Sequence, residues 1–94
     1  IVPASTAFLD YMSDDEGWMV RTHETPVIGA MDTFNDLFVG SETWQAIDVL
    51  HLRKCMREAF ENKSLKEDKA ANGIEKAFKY SYASVGKQMA ELLL

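Results

Sequence analysis

The chain has one cysteine, Cys55, two prolines, and five glycines that stand singly at positions 17, 29, 40, 73 and 86. A lone cysteine excludes an internal disulfide, and with it a disulfide-stapled secreted scaffold. Scattered glycines exclude a glycine-rich phosphate loop and a dinucleotide fingerprint, and neither a nucleophile elbow nor a zinc-finger spacing occurs. No apolar run approaches the ~18–20 residues that a membrane span needs. Ile1-Val2-Pro3 is not a basic stretch leading into an apolar run, so the start does not read as a signal peptide. Asn62-Lys63-Ser64 is formally a glycosylation sequon, but without a secretory signal it reads as chance. Cytoplasm is therefore the expected compartment. A start without Met and the ending Leu92-Leu93-Leu94 suggest a domain excised from a longer chain.

Bases are also nearly missing from one half. Residues 1–50 carry Arg21 alone against nine acids, a net of −8, whereas residues 51–94 carry nine bases against six acids, a net of +3. Such a split means that the halves neutralise each other in the fold, or that each presents its own field to a partner. The overall charge of −5 argues against general polyanion binding, because that affinity comes from neutralised phosphates.

What is present is enough for a small folded unit. Ninety-four residues, 47% of them apolar and ten aromatic, predict a single domain over 1–94 with a modest core. A disordered chain lacks this much aliphatic and aromatic content. No cofactor is implied.

The patterning predicts helices almost throughout. Ser5 is a candidate N-cap for a short helix with Phe8, Leu9, Tyr11 and Met12, stopped by the polar loop Ser13–Gly17. Residues 18–24 read as either an extended segment or a loop anchored by Trp18. Thr25 as cap, Pro26 at the first helical position, and Val27, Ala30, Met31, Phe34, Leu37 and Phe38 at spacings of 3 and 4 predict a second helix ending at Gly40. Ser41 is the expected cap of a third, running to about Asn62 through Trp44, Ile47, Leu50, Cys55 and Phe60. Ser64 and Glu67 have capping-box spacing for a fourth, with Ile74, Phe78, Val85, Met89 and Leu92 as its stripe. Its glycines 73 and 86 are weak points, and a break is expected near Tyr82–Ser84. The fold class that follows is all-α, a compact bundle of four to five helices.

Several constellations invite chemistry. His51 and Cys55, at i and i+4, can meet on one helix face, as a nucleophile pair or as two metal ligands. A nucleophile needs an oriented base and a zinc site four ligands. The spacing supplies neither, so catalytic and metal residues are expected to be absent, with Cys55 a small core residue. Asp14-Asp15-Glu16-Gly17 resembles a calcium loop only until register is applied. Gly17 at the sixth position puts Met12 and His23 where acids are required. Asp10, Asp14, Asp15 and Glu16 have no pocket to push two carboxyl pKa values apart.

Two surfaces remain. Val85, Met89, Leu92, Leu93 and Leu94 crowd more apolar surface onto the last helix than a bundle end can bury, which marks an interface. Arg53, Lys54, Arg57, Lys79 and Lys87 form a basic alternative, with a helix–turn–helix over 74–94 offering Ser84, Lys87 and Gln88 to a groove. The leading expectation is a non-enzymatic protein-interaction or assembly module that docks on a protein partner or self-associates. A small nucleic-acid-binding regulator is the alternative.

Overall fold

Thr22–Pro26 and Thr43–Ile47 take extended backbone in the computed structural model, which describes residues 1–27 and 41–94. Thr22, Thr25, Thr43, Trp44 and Ile47 are β-branched or aromatic residues that suit a pleated ribbon. The two segments pair antiparallel, with Thr22 opposite Ile47, Glu24 opposite Gln45 and Pro26 opposite Thr43. The Thr22 hydroxyl reaches the Gln45 amide oxygen at 3.0 Å, and the Thr43 hydroxyl donates to the Glu24 carboxylate. Pro26, which cannot donate to a ladder, falls at the ribbon's end.

A second, smaller sheet joins the N-terminus. Val2–Pro3 (β1) runs parallel to Met19–Val20 (β2), and the ribbon strands above are β3 and β4. Between β1 and β2 lies one helical turn, α1 (Phe8–Tyr11), preceded by Thr6 at φ 50°. Three longer helices follow: α2 (Val49–Glu61), α3 (Lys63–Ala77) and α4 (Tyr82–Leu93).

The expected all-α bundle is thus overturned by a mixed fold of helices and two two-stranded sheets among the described residues. The predicted third helix does not begin at Ser41. Its first half is β4, and α2 starts at Val49 under Asp48, whose carboxylate accepts the His51 N–H at 3.0 Å. Trp44, Ala46 and Ile47 look apolar on all sides of a helix, but a ribbon also presents apolar residues in this way. The Thr25–Pro26 start of the predicted second helix is strand, Val27 is non-helical with its N–H donating to the Glu42 carbonyl at 3.1 Å, and residues 28–40 lie outside the described residues. Ser5 is not the cap of α1; Ala7 holds that position without a side-chain bond.

The cap of α3 is not Ser64 but Asn62, whose side-chain oxygen accepts the Leu65 N–H at 3.0 Å. Asn62 also terminates α2, its own N–H bonding the Glu58 carbonyl at 2.8 Å. The two helices therefore meet at one shared residue. The later break lies earlier than expected, in a 3₁₀ turn over Phe78–Tyr80, while Gly73 and Gly86 sit inside unbroken helices. Ser81 restarts the chain by accepting the Ser84 N–H, and the Ser84 hydroxyl bonds back to the Phe78 carbonyl at 3.0 Å.

Apolar burial is slight. Among the described residues the buried apolar side chains are Met19, Val20 and Cys55, where β2 meets α2. The Cα radius of gyration is 18.2 Å and the extents are 48 × 44 × 19 Å, whereas a compact domain of this length has a radius of about 12 Å. The molecule is a thin slab.

Candidate interaction surfaces

The charge split is resolved first by an intramolecular lock. Lys69, Asn72 and Lys76 recur at spacings of 3 and 4, which puts them on one face of α3. All three hold the turn Ser13–Gly17. Lys69 donates to the carbonyls of Asp14 and Gly17, the latter at 3.0 Å, and its ammonium lies 5.1 Å from the centroid of the Trp18 ring. Asn72 donates to the Asp15 carbonyl at 3.0 Å, and Lys76 pairs with Glu16 at 3.3 Å.

The turn is also closed from within. Both the N–H and the hydroxyl of Ser13 donate to Glu16 at 2.7 Å, and Asp14 accepts the Met19 N–H at 3.2 Å. The Ser13 hydroxyl bond, aided by the Ser13 N–H and Lys76, holds the Glu16 carboxyl below its ordinary pKa against partial desolvation. Part of the acidic excess of the first half is thus consumed within the fold, since Asp14 and Glu16 shape the loop. Alongside this lock, between α1 and α3, is a cleft of about 500 Å³ with Tyr11, Met12, Gly73 and Tyr80 on its walls.

A second joint ties β2–β3 to α2. The Trp18 indole N–H donates to Glu58 at 2.7 Å, the Arg21 N–H donates to His51 Nδ1 at 2.9 Å, and the Arg21 guanidinium lies 3.5 Å from Asp48. The His51 N–H, before the charge of Arg21, keeps the Asp48 carboxyl below its ordinary pKa.

The His51–Cys55 pair does meet, with Nε2 3.7 Å from Sγ. The hydrogen-bond pattern assigns the ring's tautomer: Nδ1 accepts from Arg21, so the neutral ring carries its proton on Nε2, facing the sulfur. A nitrogen that already holds a proton cannot take the thiol's. Cys55 itself is buried, as a structural cysteine is.

The basic residues divide among separate places. Arg53, Lys54 and Arg57 share the outer face of α2 with Leu50, Met56 and Phe60, along a concavity of about 1030 Å³. The i,i+4 partners that would neutralise them are not engaged. Glu58 is taken by Trp18, and Arg57 makes no ion pair with Glu61, so among the described residues none of the three cations has a carboxylate partner. Lys79 is the middle residue of the 3₁₀ turn after α3, and Lys87 pairs with Glu91 within α4 at 4.0 Å. The break lies at 78–81 rather than near Tyr82–Ser84, and Ser84, Lys87 and Gln88 all stand on α4, the helix that follows it.

Val85, Met89, Leu92, Leu93 and Leu94 are all exposed, Leu92 at 86% and Leu93 at 80%. Along α4 the residues from Tyr82 onward are exposed except half-buried Ser84. Among the described residues, the element that α4 mainly touches is the 3₁₀ turn.

The sequence reading missed the lock and the Trp18–Glu58 bond. Their only sequence signal was the one-faced spacing of Lys69, Asn72 and Lys76. Comparison with known proteins finds no family model, no curated protein and no solved structure that matches this chain. No helix among the described residues is long and apolar enough to cross a membrane.

Proposed function

We propose that this chain is a non-enzymatic interaction or assembly module, completed by another polypeptide that packs on its unpartnered helices. The observation that carries this reading is α4. A twelve-residue helix is marginal in water on its own and is ordinarily held by packing of an apolar face. Here Met89, Leu92 and Leu93 stand 55%, 86% and 80% exposed, and among the described residues the 3₁₀ turn is the element α4 mainly contacts. Those residues are the proposed contact, with Leu94 continuing it. The thin slab and the exposed side chains of Trp44, Ile47 and Phe78 belong to the same picture, because exposed clustered apolar surface marks an interface. The free thiol suits a reducing, cytoplasmic setting.

The test is solution mass by light scattering over a range of concentration, at low and high salt, for the chain and for Leu92→Asp/Leu93→Asp. An apolar self-contact gives a dimer or larger species that survives salt and disappears in the variant. A chain that is monomeric throughout moves the proposal to a foreign partner. Binding of that partner must then fall in Leu92→Asp/Leu93→Asp, and unchanged mass and unchanged partner binding together overturn the assignment of α4.

A further inference from the structure

The outer face of α2 combines two properties that an ordinary solvated helix face does not. Leu50 and Phe60 are 76% and 88% exposed, with Met56 beside them. A solvated face has its large apolar groups turned inward. Arg53 and Arg57 stand between these apolar groups with Lys54 at the edge, so only Glu61 opposes three positive charges along the concavity. Helical spacing alone offers neutralisation through Lys54–Glu58 and Arg57–Glu61 pairs, yet neither forms. The remainder of the molecule is acidic, since the chain as a whole carries −5. The α2 face is therefore a local positive, apolar strip on a negative body.

We propose that this strip receives an amphipathic acidic helix of a partner protein. Its apolar stripe would lie along Leu50, Met56 and Phe60, and its flanking carboxylates would meet Arg53, Arg57 and Lys54. The proposal rests on the reading of the chain as an interaction module and adds a second surface to it, with the chemistry of its occupant. Helix-in-groove recognition uses this division: apolar anchors at spacings of 3 and 4 supply affinity, and rim charges set which partner is accepted and how fast it arrives. A basic helix meets like charge on the strip and is rejected. Nucleic acid fits less well, because three cations release few counterions and Leu50 and Met56 would face phosphates without a partner. Of the carboxylates that a second copy of this chain could offer the strip, Glu16, Asp48 and Glu58 are already engaged internally.

The experiment uses the whole chain and three fluorescent probes read by anisotropy. Two are synthetic helical peptides of about 18 residues with the same leucine stripe, one flanked by Glu and the other by Lys. The third is a single-stranded oligonucleotide of about 12 nucleotides. The Glu peptide is expected to bind with a Kd of about 10–100 µM at low salt, at least about tenfold tighter than the Lys peptide. Phe60→Ser is expected to weaken the Glu peptide by about tenfold. Arg53→Glu/Arg57→Glu is expected to reverse the preference, and Lys66→Glu on α3 to leave it unchanged. Should the double charge reversal lose helical circular dichroism, Arg53→Gln/Arg57→Gln replaces it and the preference should vanish. Equal binding of the two peptides, no saturation by the Glu peptide at about 500 µM, or tighter binding of the oligonucleotide overturns the proposal. Two further outcomes separate this idea from the α4 assignment. Association that depends on Leu92 and Leu93, without Glu-peptide preference, removes this inference alone. Glu-peptide preference in a chain indifferent to Leu92→Asp/Leu93→Asp removes the α4 assignment alone.

Discussion

Replacing Gly73 by Ala tests how the helices are coupled, and its effect can be worked out position by position. Gly73 is an interior residue of α3, four positions before its last residue Ala77, and an added Cβ would meet no atom within 4 Å. There is thus neither clash to relieve nor contact to gain. What remains is the helix preference of Ala over Gly, about 0.8–1.0 kcal/mol. For a domain of this size a kilocalorie corresponds to about 4–8 °C in Tm, so Gly73→Ala should raise Tm by about that amount. Gly86 in α4 has the same open surroundings and the same intrinsic gain. The two helices differ in attachment, however. α3 is held to the loop by Lys69, Asn72 and Lys76, whereas among the described residues α4 mainly touches the 3₁₀ turn. Gly86→Ala should therefore increase far-UV helicity at low protein concentration while moving the cooperative Tm by less than about 2 °C. Thermal melts followed by circular dichroism and calorimetry make the comparison. A fall in Tm for Gly73→Ala would show that the space beside α3 is filled. Equal rises for the two variants would show that α4 unfolds with the body, contrary to its exposed state.

Other perturbations address the small core and the charged joints. Val20 is 1% exposed, so Val20→Ala removes two buried methyl groups and should cost about 2 kcal/mol, measured by urea unfolding; a loss below about 0.5 kcal/mol would contradict its place at the centre. The Glu16 and Asp48 carboxyls both have folded-state pKa values below their ordinary ones. Each therefore contributes stability that is fully present above the ordinary carboxylate range of about 4–4.5 and is lost as pH falls through the lowered value. Between pH 7 and 3, protection of the amides of residues 13–17 and of the first turn of α2 should decline, and flat or rising protection would refute those bonds. Cys55, buried beside a ring nitrogen that carries a proton, should react slowly with a thiol reagent in the native chain and as one full thiol in denaturant. A native rate equal to the denatured one would place the sulfur at the surface.

Local rules served well where a helix announces itself locally. The helical spacing of residues 49–61 and 65–77 identified α2 and α3 as helices, but the apolar stripe expected through Leu50, Cys55 and Phe60 was only partly right, since Cys55 is buried whereas Leu50 and Phe60 are exposed. They failed where two periods are nearly degenerate over a short run. Thr43–Ile47 carries apolar residues at 44, 46 and 47, which suits a buried helix as well as a ribbon, and the deciding partner, Thr22–Pro26, is about twenty positions away. Caps were misplaced by two residues at Asn62 and by several at Asp48, because Ser, Asn and Asp compete for the same role and tertiary contacts choose among them. Of the candidate surfaces, the crowding of leucines in α4 was visible in the sequence. The isolation of Arg53, Lys54 and Arg57 was not, because it depends on Trp18 drawing Glu58 away from forty residues earlier.

Asn62 closes one helix and opens the next without an intervening residue, and this makes chain length itself a determinant of structure. Each α-helical residue advances the screw by about 100°. One residue inserted or deleted between Asn62 and Lys69 would swing Lys69, Asn72 and Lys76 about a quarter turn away from the loop carbonyls and from Glu16. Side-chain substitution could not restore all three, since each contact needs the same angular phase. The seven-residue step from Asn62 to Lys69, close to two full turns, is consequently as constrained as the identity of any residue within it, and a length change there should be tolerated only when a compensating residue restores the phase.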